Sequence, residues 1–418
     1  MSKKYIIGVV GAGSTFTPEL VSLLIDRIDC FGSIDLRFMD IDLPRQEIVT
    51  SLCRKILAKS SADITITVCD DLASTLRGAD FVLLQLRVGG IDMRIEDEHL
   101  GLKYHLPFTE TISVCGISTF LRTYYEFEKI AAVIKAEAPD AWVLNFSNPS
   151  GQNTEALYKL GIHKVIGVCN GCISELDILS RVSGHPADKL FMNWRGLNHM
   201  TFIDGVYYEG ENILPEILEK IDDSTFPVPA DLIRQLGFIP NHYLQYYYTR
   251  SRLADQLQKK KCRSEVVKEV DKELIESYKT AEEIPAELSK RGGFGYSRIV
   301  AEIMASIAAD LRNVHYAVIR NGNTLPEFPE DAFVEVPVIA KKEGLYPIGC
   351  GPLPKVARSV AIALKDYDQL AIEGAMKRDK RLLLNSLLVH PLISDQDVAV
   401  PLLEDVLAIN RDYLPEIK

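Results

Sequence analysis

The sequence has no apolar run approaching the ~20 residues that a helix needs to cross a bilayer, and it shows no internal repeat and no low-complexity tract. That excludes a helical membrane protein and argues against disordered or solenoid architectures. It also lacks positive charge. Asp and Glu number 58 against 47 Lys and Arg, for a net charge of −11. An acidic chain does not draw polyanions globally, so nucleic acid and anionic membranes are excluded as first choices of partner. A local basic pocket for one phosphate remains compatible. Cysteine is sparse: eight residues, at 30, 53, 69, 115, 169, 172, 262 and 350. That is too thin for a secreted disulfide scaffold, and a cytoplasmic protein with mostly reduced thiols is expected. Only GVCNGC brings two cysteines close, Cys169 and Cys172. A zinc knuckle needs a second pair at suitable spacing, and there is none. A redox Cys-x-x-Cys stays open, because thiolates near a helix N-terminus have low pKa values.

What is present is an ordinary globular balance. The 418 residues are 47% hydrophobic and 25% charged, enough to bury a large core and to form two domains. MSKKYIIGVVG has the lysines of a leader peptide, but its apolar run is short and flows into a glycine turn, so it reads as a strand. Buried strands are expected in KYIIGVVG, IDLRFMD, ITITVCD, ADFVLLQL, AWVLNFS and KVIGVC, with helical patterns between them. Such alternation predicts an α/β fold with a doubly wound parallel sheet over residues 1–170. Over 171–418 the pattern changes. LFMNWRGLNHMTFIDGVYYEG predicts antiparallel strands with DG as the turn, and long helical stretches follow, so this part is α+β.

In a doubly wound sheet, ligands lie at the carboxyl ends of the strands. The first strand ends in GAGSTFTPEL. Gly11 and Gly13, with Ser14 and Thr15 of the same turn, suit a dinucleotide pyrophosphate, although Phe16 occupies the place of a third glycine. Thr17 is expected to cap the helix, with Pro18 as its first residue. Asp40 closes the second strand, where a carboxylate binds ribose hydroxyls and favours NAD over NADP. Asp42 is an alternative carboxylate, and Arg37 and Arg45 keep the choice open. Arg87 and Arg94 follow strand four as anion candidates or as solvated ion pairs. NFSNPSG brings Asn145, Ser147 and Asn148 to the crevice after strand five. Strand six ends in Cys169, and GLNHM carries His199 thirty residues later. One thiolate and one imidazole make half a metal shell, which substrate oxygens would complete.

Together these pieces resemble family 4 glycoside hydrolases, the NAD- and metal-dependent glycosidases, and within them the 6-phospho-β-glucosidases. The matching segments run through the chain in order: GAGSTFTPEL, LRVGGIDMRIEDEHLGLKY, ET at 110–111, LNFSNPSGQNTEA, GVCN, RGLNHM, IPNHYLQYYY, RGGFGYS and VEVPV. The resemblance implies a Rossmann domain followed by a domain similar to the C-terminal half of lactate or malate dehydrogenase. It implies a homodimer or homotetramer acting on a small phosphorylated glycoside. It implies a reaction outside the two-carboxylate scheme. NAD⁺ takes hydride from C3 of the sugar, the ketone acidifies the C2 proton, and a tyrosine removes that proton. A divalent metal, usually Mn²⁺, stabilises the resulting charge. The aglycone leaves, water adds, and hydride returns.

Carried onto this sequence, the resemblance makes Cys169 and His199 the metal ligands and Tyr243 the base, with Tyr246, Tyr247 and Tyr248 as neighbours suited to core packing. Asn148 is expected near C2 and C3 of the sugar and at the cofactor. Arg94 and Arg291 are candidates for the 6-phosphate, and Glu110 lies in the cleft loop. Asn170, where an aspartate would look like the acid of α-specific members, leans toward β-glycosides. Two departures stand out. ETISVCGIS has one glycine where the family's loop has several, and Gly171-Cys172 replaces a small apolar residue and proline. Cys172 is therefore read as incidental to metal binding. The rival readings are α-glucoside or galactoside specificity, an NAD-dependent 2-hydroxy-acid dehydrogenase, and a sugar-phosphate sensor without turnover.

Overall fold

Six runs of aliphatic residues, sealed on both faces by helices, form the centre of the molecule. The computed structural model describes residues 3–292 and 295–418. The six strands are β1 (Lys4–Val10), β2 (Ser33–Met39), β3 (Ile64–Val68), β4 (Phe81–Leu84), β5 (Trp142–Asn145) and β6 (Val165–Gly167). All pair in parallel, in the spatial order 3-2-1-4-5-6. Ile7, Val9, Leu83, Val143 and Leu144 are fully buried, as expected for strands covered on both faces.

The sheet does not stop at β6. The chain continues through β7 (Leu190–Leu197), β8 (Met200–Tyr208), β9 (Glu211–Asn212), β10 (Ile239–Pro240), β11 (Val314–Arg320), β12 (Phe333–Lys341) and β13 (Gly344–Pro347). β11 joins β6 in antiparallel fashion, with Val318 opposite Gly167, and β12, β7, β8 and β10 extend the same sheet outward. The parallel and antiparallel parts thus share one thirteen-stranded sheet.

Two local expectations need correction. The DG of the β7–β8 region is not a turn. Asp204 and Gly205 lie inside β8, where Asp204 ion-pairs with Arg195 across the strands and Gly205 leaves room for the Tyr207 ring. The chain reverses instead at Asn198-His199, between the paired residues Leu197 and Met200. At the first helix, Thr17–Asp26, the cap is Phe16, and its side chain caps nothing. Thr17 is drawn into the helix, where its hydroxyl accepts from Gln85 Nε2 at 2.9 Å.

The helix Gly90–Lys103 packs on the long helix Val114–Glu137. Both oxygens of buried Asp97 accept from Arg122, at 2.9 and 2.6 Å, and Asn410 Oδ1 accepts from the same guanidinium at 2.6 Å. This buried pair fixes the helix that carries Arg94. Removing one partner of such a pair leaves an uncompensated charge.

Two buried histidines, His315 and His390, gain little from carboxylates: Glu302 acts on His315 but less than burial does. Burial pushes His315 down to about 4 and His390 down to about 3. Their folded pKa values lie below the unfolded value of 6.5. As pH falls below about 6.5 the unfolded chain therefore binds protons that the fold excludes, and stability is lost down to the folded values. At pH 5 each is expected to cost about 2 kcal/mol relative to pH 8. The midpoint of thermal unfolding should fall between pH 7.5 and 5. The fall should be smaller in His390→Asn, which keeps an acceptor for the Leu392 N–H that His390 Nδ1 now receives at 3.1 Å. An unchanged slope would contradict this.

Candidate active site

The carboxyl ends of β1, β4, β5 and β6 open onto one cleft. After β5, the NFSNPSG segment is folded by its own polar groups. Ser147 Oγ donates to Leu84 O at 3.1 Å and accepts from Leu86 N at 2.8 Å, tying β4 to β5. Asn145 Nδ2 donates to Thr154 Oγ1 at 3.1 Å, and its Oδ1 accepts from Ser147 N at 3.1 Å. Asn145 and Ser147 were expected at the crevice, but both are buried and structural. Asn148 is different: its Oδ1 is buried and has no hydrogen-bond partner. A buried acceptor without a donor suits a ligand that brings one.

Cys169 lies two residues past the end of β6, and His199 sits in the turn between β7 and β8. The sheet's continuation brings them together, with Cys169 Sγ 3.3 Å from His199 Nε2. His199 takes a left-handed backbone, φ 62°, a conformation in which His is enriched but still uncommon. Its Nδ1 lies 2.5 Å from Thr111 Oγ1. With the proton on Nδ1 and donated to Thr111, the Nε2 lone pair faces the sulfur. Both groups are fully buried. Burial pushes the Cys169 thiol up to about 12, with Glu335 adding to it while the Gly171 N–H opposes. Burial, helped by nearby His242, pushes His199 down to about 3.

This pair fits a metal. Two ligands about 2.3 and 2.1 Å from one cation lie ~3.1–3.6 Å apart for angles between 90° and the tetrahedral value, and 3.3 Å falls inside that range. Among the described residues no group of three or more His, Cys, Asp or Glu could hold a metal ion. From the described residues such a shell would have two protein ligands, Cys169 and His199.

Tyr243 stacks on the imidazole, with ring centroids 3.8 Å apart and an interplanar angle of 23°. Its helical turn is capped by Asn241, whose Oδ1 accepts from Tyr243 N at 2.9 Å and whose Nδ2 donates to Thr201 Oγ1 of β8 at 3.0 Å. Tyr243 and His199 are thus held by the same hairpin. Burial pushes the Tyr243 hydroxyl well above its ordinary pKa, and Cys169 and Glu110 add to the rise. Tyr247 lines a small cavity that His199, Thr111 and Asn198 share with Gln152, Lys365 and Asp368. Tyr296, quoted above only as part of RGGFGYS, reaches Cys169 Sγ at 3.8 Å. Gly293 and Phe294 of that motif lie outside the described residues.

The arginines gather around carboxylates. Glu110 takes Arg87 at 2.6 Å and Arg94 at 3.5 Å, and Arg94 also bonds Glu98 at 3.1 Å. Burial would raise the Glu110 pKa, but Arg94 and Arg87 outweigh it and hold the carboxyl well below the usual range. Arg291 pairs with Asp271 at 2.9 Å and lies over the Phe16 ring. Its charge is felt by Arg87. Arg87 and Arg94 thus share Glu110, while Arg291 is held by Asp271. Asn170 is the N-cap residue of the helix Gly171–Ser183, directly after the Cys169 ligand candidate. Cys115 is fully buried in the first turn of Val114–Glu137.

At the glycine turn, Gly11 has φ +92°, and a Cβ there would meet Gln85 O at 2.7 Å. Gly13 N donates to Asp40 Oδ2 at 2.7 Å, and a Cβ on Gly13 would meet that oxygen at 2.9 Å. Ser14 Oγ accepts from Phe16 N at 3.3 Å, and Thr15 Oγ1 donates to Asp271 at 3.4 Å. The turn offers a close backbone cradle at the start of a helix, which suits a pyrophosphate. Asp42 is used as the cap of the helix Leu43–Ala58, accepting from Arg45 N at 3.1 Å. Arg37 is taken by Asp35, and Arg45 by Asp271 and Gly13 O.

A doubly wound parallel sheet, extended by antiparallel strands that bring a metal-capable Cys–His pair to its carboxyl edge, defines a dehydrogenase-like fold. The chain matches the family 4 glycosyl hydrolase model over residues 6–184 and the family 4 glycosyl hydrolase C-terminal domain over 194–393. It belongs to glycoside hydrolase family 4. The 6-phospho-beta-glucosidase BglT of Thermotoga maritima is 33% identical over 414 residues, covering 98% of this chain and 99% of that protein. The solved structure of the Thermotoga maritima 6-phospho-beta glucosidase with manganese, NAD+ and glucose-6-phosphate superposes with a TM-score of 0.92 at 32% identity, over 98% of this chain and 99% of that one. A 6-phospho-alpha-glucosidase of Leptotrichia buccalis is 26% identical over the full length of both chains. Malate dehydrogenase of Plasmodium falciparum shares the fold, with a TM-score of 0.54 at 12% identity over 91% of this chain and all of that one.

Of the eight cysteines, Cys30 alone is only half-buried and the others are buried. In the native protein, an aromatic disulfide reagent should label Cys30 first and Cys169 and Cys172 slowly; unfolding should expose all eight. Rapid labelling of Cys169 or Cys172 in the native state would contradict the burial and favour the redox reading.

Proposed function

We propose that this chain hydrolyses 6-phospho-β-glucosides by an oxidation–elimination route that uses NAD⁺ and a divalent metal, Mn²⁺ being the first candidate. The observation that carries the reading is the buried Cys169–His199 pair, 3.3 Å apart with Tyr243 stacked on it. When bound, NAD⁺ supplies hydride exchange with C3 of the sugar, and the metal supplies positive charge against the oxyanions at C2 and C3.

The chain's own residues do the rest. Cys169 and His199 hold the metal and leave its other positions to sugar oxygens, while Thr111 keeps the imidazole in the ligating tautomer. Tyr243 takes the C2 proton. Its raised pKa makes it a poor base in the metal-free protein, and a divalent cation beside His199 reverses that bias. The unpartnered Asn148 Oδ1 accepts from a sugar hydroxyl or the cofactor. Arg94 and Arg291 bind the 6-phosphate. Glu110, held ionised, keeps Arg87 and Arg94 in place. The backbone of Gly11, Gly13, Ser14 and Thr15 cradles the pyrophosphate, and Asp40 receives the ribose. Arg37 and Arg45 are both committed to carboxylates, which favours NAD over NADP. Asn170, in place of an acid, and the higher identity to the β-specific relative support β-glycosides.

The test is cleavage of nitrophenyl 6-phospho-β-glucoside, beside the α-anomer and the unphosphorylated sugar, with NAD⁺ and Mn²⁺ and then with each omitted. Cleavage of the β-phosphoglucoside alone, needing both and accumulating no NADH, is expected. Net NADH without cleavage would instead support a dehydrogenase. Three variants sharpen it. Cys169→Ser should weaken Mn²⁺ binding by roughly 100-fold or more, and Cys172→Ser should leave it within about twofold. Gly13→Ala, whose Cβ collides with Asp40, should weaken NAD⁺ by about tenfold, or ~1.4 kcal/mol. Unchanged NAD⁺ affinity in that variant would move the cofactor away from this turn.

A further inference from the structure

Glu335 is a buried carboxylate in the middle of β12, 2% exposed. One oxygen accepts from Trp194 Nε1 at 3.1 Å and the other from Asn198 Nδ2 at 2.9 Å. Its backbone lies opposite Gly196 of β7. Asn198 directly precedes His199 in the two-residue turn between the paired residues Leu197 and Met200. A chain of contacts therefore runs from Trp194 through Glu335 and Asn198 to the turn that carries His199.

Both donors to Glu335 are neutral. Three other buried carboxylates have cations: Asp97 has Arg122 at 2.6 Å, Glu155 has Lys365 at 2.8 Å, and Glu110 has Arg87 at 2.6 Å; Glu335, like Glu19, has only neutral donors. Burial acts on Glu335 with only hydrogen bonds from Asn198 and Trp194 against it. An isolated buried charge is costly unless a counter-charge is near. A divalent cation on Cys169 and His199 would lie one side chain away and meet that need. We propose that Glu335 is a positioning residue for the metal-binding pair: it fixes Asn198 and, through the turn they share, His199, and it sets a carboxylate close to the pair.

This inference rests on the reading of Cys169 and His199 as metal ligands. The competing role for Glu335 is a tie between β7 and β12 with no bearing on the metal. Glu335→Gln separates the two, because it removes the charge at nearly the same size; its oxygen can still accept from Trp194, while its amide nitrogen donates and requires Asn198 to turn its own oxygen toward it. Mn²⁺ binding to the full chain should be measured by titration calorimetry with NAD⁺ present, and NAD⁺ affinity measured alongside. The expected result is Mn²⁺ affinity lower by 10- to 100-fold, NAD⁺ affinity within about twofold, and a metal-free unfolding midpoint unchanged or raised. Wild-type Mn²⁺ affinity in Glu335→Gln overturns the inference. If that variant does not fold, Asn198→Ala reads the same link from its other end. Roughly tenfold weaker Mn²⁺ is expected there, and unchanged affinity overturns the link. Mn²⁺ binding that is lost in Cys169→Ser but intact in Glu335→Gln sinks this inference alone. No Mn²⁺ binding to the wild type sinks the metal reading with it.

Discussion

The approach of the Cys169 sulfur to His199 Nε2 depends on the sheet running on past its last parallel strand. Cys169 is delivered by β6 and His199 by a turn thirty residues later. They meet because β11 pairs with β6, β12 with β11 and β7 with β12. Each group is held in its neutral form by burial, the thiol pushed up to about 12 and the imidazole down to about 3. Neutral imidazole is the ligating form, whereas the thiol must give up its proton to bind a cation. On the proposed reading, the geometry is already in place and a bound cation would complete the charge, with Tyr243 stacked on the same imidazole.

The cofactor turn is tied to the second half of the chain with similar care. Tyr278 donates to Thr15 O at 2.7 Å, and Ser297 donates to Phe16 O at 3.3 Å. Arg45 bridges Gly13 O at 2.6 Å and Asp271 at 2.7 Å. The glycine turn and the metal-capable pair are therefore parts of one packed body. Hydride transfer requires its partners to stay within a fraction of an ångström, and a shared sheet with cross-ties supplies that constancy.

The parallel half was legible because buried strands read as unbroken apolar runs, and these appear within one to three residues of the expected places. The errors have local causes. DG is the usual hairpin signal, but here Asp204 is used as an ion-pair partner inside β8 and the turn falls to Asn198-His199. Asn145 and Ser147 were placed in the crevice by motif position, whereas their hydrogen bonds turn them inward to join strand ends. Cys169 and His199 read as half a metal shell from the residues alone, but only the resemblance proposes them as ligands and Tyr243 as a base, since nothing in a lone cysteine or histidine marks it as a ligand. Thr111, Tyr296 and Glu335 were quoted inside motifs without roles. Each meets the site across 88, 127 and 137 residues of chain respectively, and periodicity carries no signal over such separations. Only the folded sheet brings them together.

The most direct test of the central claim is the fate of the hydrogen at C2. A 6-phospho-β-glucoside should be cleaved by the protein in D₂O with NAD⁺ and Mn²⁺, and the released sugar phosphate examined by NMR before isomerisation. Proton removal by Tyr243, with elimination and water addition, predicts deuterium at C2. Cleavage with C2 still carrying its original hydrogen would contradict the account and point to direct displacement at C1.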